Sequence, residues 1–204
     1  MTGHPMDKHQ QELRDYGILS ISQLRERLES HQDIQGSVRI AGLVSERKLH
    51  RTRKGDRMAF IPLEDPDGHL ESVIFSDVYQ TCQNFLESES VLIVTGTVDA
   101  EEEEPKLMAE EVMDLDSYRQ RHCRELRLSL PLSWVNDANM EKLSKVLQTH
   151  AGGRCRVVAT IALPTARVTT RFGQEFSIIP EEDVLSDIGR LWPQGGASFS
   201  GQTS

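Results

Sequence analysis

Short strand patterns separated by tight turns are the feature that most constrains the fold of this chain. Apolar and polar side chains alternate over residues 38–44, and a turn around Gly55 leads to a second strand at 57–63. An Asp-Pro-Asp-Gly turn within 64–68 then leads to a third strand at 70–75. A period of two along three successive segments predicts a meander of antiparallel strands.

One helix and two further strands follow the meander. Residues 76–86 carry apolar side chains at helical spacing, and apolar strands are predicted at 91–98 and 106–113 on either side of the acidic loop 100–105. Three strands, a helix and two strands form the order of the OB-fold, a five-stranded Greek-key β-barrel. The sequence therefore predicts a mixed architecture with an OB-fold domain over residues 34–117.

The segments on either side of the barrel are expected to be smaller units. Residues 1–33 are polar, and Ser20 followed by Gln23 is a capping-box pattern, so we expect an N-terminal helical linker with one short amphipathic helix. Residues 118–192 combine helix and strand patterns and predict a small α/β (α+β) domain. Residues 193–204 are rich in Gly, Ser and Gln without periodicity, which predicts a disordered tail.

The expected elements of the second domain follow one another closely. They are a helix at 118–124, a strand at 126–130, a helix capped by Asn136 or Asp137 and stopped by Gly152 and Gly153, strands at 156–163, 166–172 and 175–179, and a helix that starts at 180–183.

Charge is unevenly distributed along the chain. The whole chain has 23 Lys and Arg against 32 Asp and Glu, a formal net charge of -9 that argues against a general nucleic-acid binder. Residues 39–57, however, contain seven cations and only two acidic residues. Single-stranded nucleic acid is held by cations along the phosphates and by aromatic rings that stack on bases. The residues predicted to do so are Arg47, Lys48, Arg51, Arg53, Lys54, Arg57 and Phe60.

Each of these residues also has a plainer interpretation. The basic hairpin could simply be solvated, and Phe60 and Phe75 have a pattern that fits core packing equally well. The acidic run at 101–104 lies in the other loop expected near the ligand, so we do not expect both loops to hold DNA. Pro62 removes a backbone donor from the second strand and is expected at an edge or a bulge.

Several other classes of protein are disfavoured. No stretch approaches the roughly 18 apolar residues of a membrane span, and the N-terminal residues lack the pattern of a signal peptide, so we expect a cytoplasmic protein without membrane contact. Cys82, Cys123 and Cys155 are far apart, which predicts reduced, buried thiols rather than a disulfide framework. The sequence predicts no metal site, cofactor or catalytic constellation.

The last predicted helix carries an apolar stripe of Val184, Leu185, Ile188, Leu191 and Trp192. Such a stripe is typical of a core-facing helix. A domain of this size also often leaves an apolar patch for a partner. Leu191 and Trp192 are therefore candidates for partner binding, with core packing as the alternative.

Several strings in this sequence match one family in order. They are Thr2-Gly-His-Pro5, Ala41-Gly-Leu-Val44, Thr52-Arg-Lys-Gly-Asp-Arg57, Leu63-Glu-Asp65, Glu110-Glu-Val-Met-Asp-Leu-Asp116 and Arg171-Phe-Gly173. Over nearly its whole length the chain resembles the C-terminal part of the bacterial DNA polymerase III alpha subunit, where these strings belong to an OB domain and a small C-terminal domain. The resemblance implies a fragment or split product of a longer polymerase.

The resemblance also implies a function. It implies binding of single-stranded DNA template through the OB-fold, and tethering to the tau subunit of the clamp loader and other replicase subunits. The palm aspartates and the phosphoesterase-like domain of that family have no counterpart here, and residues 9–13 do not match its clamp-binding pentapeptide, so we expect no enzyme activity from this chain alone. Two alternatives remain: a protein-interaction OB module that binds no nucleic acid, and an anticodon-binding OB module, which leaves residues 118–192 unexplained.

Overall fold

The computed structural model describes residues 4–30, 34, 36–44, 48–51, 55, 57–87, 90–100, 104–193 and 196–201. The chain forms two compact units, Met1–Leu115 and Asp116–Ser204. Within the described residues, no helix is long and apolar enough to cross a membrane.

The first unit contains the predicted barrel. Its strands are β1 (Val38–Val44), β2 (Lys48–Arg51), β3 (Arg57–Asp65), β4 (Gly68–Ile74), β5 (Leu92–Asp99) and β6 (Lys106–Asp114), and its helices are α1 (Gln10–Asp15), α2 (Ile21–Glu29) and α3 (Ser76–Leu86). The sheet order is β1-β5-β6-β4-β3-β2, and β1 also pairs with β3, which closes the sheet. Because β1 and β2 both pair with β3, they are two pieces of the first strand. The predicted five-stranded OB-fold is confirmed.

Alternate residues of the strands point into the barrel and form its core. Ile40, Ile61, Leu92 and Leu107 are fully buried there. Gly96 lies at a register shift between β5 and β6, where an added Cβ would collide with the backbone of Met108. This close approach of two backbones explains why a residue without a side chain occupies the position.

The N-terminal helix is part of this core rather than a linker. The Ser20–Gln23 capping box is formed, with Gln23 N–H donating to Ser20 Oγ over 3.2 Å and Ser20 N–H donating to Gln23 Oε1 over 3.0 Å. Ile21 and Leu24 are 0% exposed and pack with the barrel residues. The expectation of a separate helical linker over residues 1–33 is therefore wrong for α2, because its apolar stripe is buried against the barrel.

Pro62 lies in a gap of the strand pairing. On one side β3 pairs continuously with β4, and there Pro62 faces Glu71. On the other side, β1 reaches Leu63 and β2 begins opposite Phe60, so no described residue of the first strand pairs with Pro62. Because none of the described residues of the first strand pairs with Pro62 on this side, the missing N–H of proline breaks no described ladder pair there, in keeping with the irregular position that the sequence predicted.

The second unit is an open sheet with helices. Its elements are α4 (Leu115–His122), β7 (Glu125–Pro131), α5 (Asp137–Thr149), β8 (Ala151–Ala162), β9 (Arg167–Arg171), α6 (Glu182–Leu191) and β10 (Gly196–Ser200), with short 3-10 helices at Leu132–Trp134 and Gln174–Phe176. The sheet order is β10-β7-β8-β9, with β7 and β8 parallel. One sheet face packs against buried side chains of the helices, Leu143 and Leu147 from α5 and Val184 and Ile188 from α6. The predicted small α/β unit is confirmed.

Three expectations for this unit are wrong. Gly152 and Gly153 lie in β8, after a helix that ends at Thr149, and an added Cβ on Gly153 would collide with the Ile178 backbone. Residues 175–179 form no strand; Ile178 only makes isolated bridges to β8.

The third error concerns the tail. Residues 196–200 were expected to be disordered, yet they form β10, which pairs with β7 from Gly196 to Ser200 and buries Phe199 completely. The segment has no apolar periodicity of its own. It is ordered because its backbone pairs with β7 and Phe199 packs into the core of the second unit. The rest of the expected tail lies largely outside the described residues.

Candidate nucleic-acid interface

The outer face of the β2–β3 hairpin carries the side chains best placed to meet a ligand. Lys48 pairs with Phe60 and His50 with Met58 across the two strands. Directly paired residues lie on the same side of a sheet, and successive residues alternate between sides. Ala59 and Ile61 point into the core. His50, Met58 and Phe60 therefore share the outer side.

Phe60 and His50 form an aromatic pair on this face. Their ring centroids lie 5.1 Å apart with the planes at 84°, an edge-to-face arrangement. His50 is exposed and Phe60 is half-buried. The pair leaves ring surface accessible at the outside of the barrel, where a nucleic-acid base could stack.

A second phenylalanine is exposed at the end of β4. Ile74, the last residue of β4, faces Ala59, and both are fully buried. The next residue, Phe75, has an extended backbone and is 47% exposed. Of the two uses that the sequence left open for Phe75, core packing is wrong. The useful signal was its position directly after a core-facing residue in an alternating strand.

The basic residues are only partly described. Arg57 is exposed at the start of β3, and it forms no ion pair within the part of the chain that the structure describes. Lys48 and Arg51 lie at the two ends of β2, where their backbones pair with Phe60 and Arg57. The predictions for Arg47, Arg53 and Lys54 fall outside the described residues.

Two other charged groups near the barrel have structural partners. Arg39, counted in the basic segment, donates from Nη1 to the Tyr16 carbonyl oxygen over 3.3 Å and thereby joins β1 to the N-terminal helices. Lys106 lies 3.9 Å from Glu71 across the parallel pair of β4 and β6. Neither Arg39 nor Lys106 was a predicted site residue.

The thiols and the remaining polar residues show no catalytic grouping. Cys82 is fully buried in the barrel, and this burial raises its pKa to about 11. Cys123 and Cys155 lie 32 residues apart in sequence, but their Sγ atoms are 3.0 Å apart, and this contact together with burial raises the pKa of Cys155. Among the described residues, no three His, Cys, Asp or Glu side chains are grouped as metal ligands would be.

The C-terminal candidates lie on the core side of α6. Trp192 is 4% exposed, and its ring centroid is 4.6 Å from that of Trp134. Leu191 is half-buried and packs against the same core, as does Leu185. This geometry favours the core interpretation of Trp192, while a role of Leu191 in partner binding stays a prediction.

Residues 38–115 match the family model described as an OB-fold nucleic acid binding domain, which is named for the tRNA anticodon, and the observed barrel agrees with that fold. The chain is related over nearly its whole length to DNA polymerase III subunit alpha. It is 30% identical to the subunit of Vibrio cholerae over 193 residues and to that of Escherichia coli K12 over 195 residues. Each alignment covers 94% of this chain and 16% of the relative. These matches confirm the predicted resemblance.

The chain thus spans about one sixth of the length of the curated relatives it matches. Among solved structures, the S. pombe Stn1-Ten1 complex matches 39% of this chain and 58% of its own at 18% identity, with a TM-score of 0.33. That likeness is too weak to support any argument.

Proposed function

We propose that this chain is an accessory segment of a DNA replicase whose barrel holds single-stranded DNA template. The observation that carries the proposal is the outer face of the β2–β3 hairpin, where His50 is exposed and Phe60 half-buried, together with the exposed Arg57 at the start of β3 and the exposed Phe75 after β4. Aromatic faces with adjacent cations are what single-stranded nucleic acid requires, because bases stack on rings and phosphates meet positive charge. We assign the chain a binding role rather than a catalytic one and expect it to act in the cytoplasm.

The contribution of the rings can be tested at Phe75. A labelled oligothymidylate would be titrated with the full chain and its fluorescence anisotropy followed. Because one base stack is worth roughly 1 to 3 kcal/mol, Phe75→Ala should weaken binding by about 5- to 150-fold. Leu49→Ala is a matched control, since Leu49 is 60% exposed on β2 but lies on the other side of the sheet, paired with Ala59. Equal affinity of Phe75→Ala and wild type would rule out stacking at this position.

The contribution of the basic segment can be tested through salt. Each phosphate contact on a single strand adds roughly 0.7 to the slope of log affinity against log salt. The variant with Arg51→Gln, Arg53→Gln and Lys54→Gln should therefore lose about 2 from that slope. Arg27→Gln, Lys142→Gln and Arg190→Gln remove the same charge at exposed helical positions and serve as the control. Complete absence of oligonucleotide binding by the wild-type chain would instead favour the protein-interaction module.

The second unit is proposed to tether the replicase to the tau subunit of the clamp loader and to other replicase subunits. The alignment to the alpha subunit extends through this unit, which supports the assignment.

Leu191→Ala tests the predicted partner contact of Leu191. Leu185→Ala is the control, because both leucines are half-buried on α6 and pack on the same core. A selective loss of binding to purified tau by Leu191→Ala is expected. Equal binding by the two variants would remove Leu191 from the interface. Trp192→Ala is unsuitable, because burial of Trp192 would make loss of folding resemble loss of binding.

A further inference from the structure

One face of the second sheet packs against α5 and α6, and five arginines lie on the opposite face. They are Arg127 of β7, Arg154 and Arg156 of β8, and Arg167 and Arg171 of β9, and together they are called the arginine face. The opposite face holds the core residues Leu126, Leu128, Val157 and Ala159.

Strand register places these side chains on one side. Arg154 and Arg156 flank Cys155, which is buried in the core, so both point away from it. Arg167 and Arg171 lie opposite Ala162 and Val158 of β8, and Arg127 also lies opposite Val158.

A side-chain contact confirms the register on this side. The Thr160 and Thr169 hydroxyl oxygens, which belong to the same set of alternating residues, are 3.3 Å apart across β8 and β9. The arginines therefore form a single patch across three strands.

The strands of this patch carry more cations than carboxylates. The one carboxylate among the alternating residues of these strands is Glu125, which is fully buried, 3.4 Å from Arg127 Nε and 3.9 Å from Arg156 Nη2. Every residue of β9 is exposed, and so is Arg154. Arg154 and Arg167 form no ion pair within the described residues. Arginines thus outnumber carboxylates five to one among the alternating residues of these three strands, in a chain whose net charge is -9.

The chemistry of the patch selects its ligand. Guanidinium groups bind phosphate oxygens in a bidentate manner, and hydroxyl groups such as those of Thr160 and Thr169 donate to phosphates as well. A protein partner needs a buried apolar or aromatic centre in its interface. On the arginine face, Val158 is an apolar residue of this kind, but it is only 2% exposed and so cannot form the apolar centre of a protein interface. We propose that the arginine face binds the phosphate backbone of nucleic acid, independently of base sequence.

This contact lies outside the proposed role of the barrel and adds a nucleic-acid function to the unit assigned to tethering. Nucleic acid that is bound by one unit meets the other unit at a high effective concentration, because the second contact forms within the same complex. Two weak contacts therefore give a higher overall affinity than either contact alone. The combined affinity then depends on both units.

The test replaces Arg154 and Arg167, which form no ion pair within the described residues. Arg154→Gln with Arg167→Gln leaves Arg127 and Arg156 beside buried Glu125, so the core is undisturbed. Lys142→Gln with Arg190→Gln removes the same charge from α5 and α6, which cover the opposite face of the sheet. The full chain would be titrated against a labelled oligothymidylate at several salt concentrations, with thermal melting as the check on folding.

The Arg154 and Arg167 pair should lower the salt slope by about 1.4, from roughly 0.7 per phosphate contact, while the control pair leaves it unchanged. Arg154→Lys with Arg167→Lys, which keeps the charge, should retain most of the slope. A slope and affinity equal to wild type in the Gln variant would overturn the proposal. So would unchanged oligonucleotide binding together with weaker binding of a labelled oligoglutamate peptide, which would indicate an acidic protein partner. The barrel variants change none of these residues, so failure of either assignment is recognised separately.

Discussion

In the barrel, β1 pairs with β5 on one side and β3 on the other, whereas among the described strands of the second unit β9 and β10 each pair on one side only. The closed sheet encloses its core with its own strands, and α2 and α3 add buried side chains to that core. The open sheet leaves two faces to be covered, and α5 and α6 cover one of them. The opposite face carries charged side chains, those of the arginine face, on strands whose other side forms the core.

The open sheet should depend strongly on its edge strand. Phe199 of β10 is fully buried, and the Arg119 guanidinium carbon lies 5.1 Å from the centroid of its ring. Phe199→Ala should lower the free energy of unfolding of the second unit by about 3 to 5 kcal/mol, because it leaves a large cavity and loosens an edge strand. Urea denaturation followed by circular dichroism measures this effect. Ser198→Ala on the other side of the same strand should change stability by less than about 0.5 kcal/mol. Equal effects of the two changes would show that packing of the Phe199 side chain does not stabilise the second unit.

The barrel core should respond to alkaline pH through Cys82. Its pKa is raised from 9.0 to about 11 because burial disfavours the thiolate. Below pH 9 the thiol is protonated in both states; between pH 9 and 11 the unfolded chain loses the proton that the folded chain keeps, so stability falls as pH rises. The loss attributable to Cys82 should reach about 2 to 3 kcal/mol by pH 11, from roughly 1.4 kcal/mol per pKa unit.

The measurement compares the wild type with Cys82→Ala from pH 8 to 11. Other titrating groups affect both chains, so the difference between the two pH profiles isolates the thiol. Cys82→Ala should be less stable than wild type at pH 8, because it loses packing, and the gap should narrow at higher pH. Parallel profiles would mean that the buried thiol does not titrate on unfolding.

The smallest expected effect concerns the attachment of α2 to the barrel. Asp65 is 8% exposed, and its Oδ2 accepts the Ile21 N–H over 2.7 Å, while its Oδ1 accepts the Asp67 and Gly68 N–H groups. Asp65→Ala should cost about 1 to 2 kcal/mol, because one change removes a helix-start contact and a turn contact. Asp65→Asn keeps one acceptor oxygen and should cost less. Thermal melting measures both, and equal stability of the wild type and Asp65→Ala would show that α2 is held by packing alone.

Local patterns were sufficient for most of the architecture. The alternation over 38–44 and the Asp-Pro-Asp-Gly turn predicted the meander, and Ser20 with Gln23 predicted the start of α2, since these signals act over only a few residues. The candidate site was predictable only in part. Phe60 and Arg57 were identified from the hairpin, but His50 and the exposure of Phe75 follow from which side of each strand became the core.

The amino-acid sequence by itself determined where the strands and helices form, where they turn, and that the barrel class is an OB-fold, because periodicity and turn chemistry are local properties of the chain. Tertiary structure alone decided the relations between distant segments. It brought the Cys123 and Cys155 sulfurs to 3.0 Å, ordered residues 196–200 against β7, and aligned arginines of three strands on one face. Each of these depends on which strands become neighbours and in what register, and that choice is made by the burial of the whole core rather than by any short run of residues.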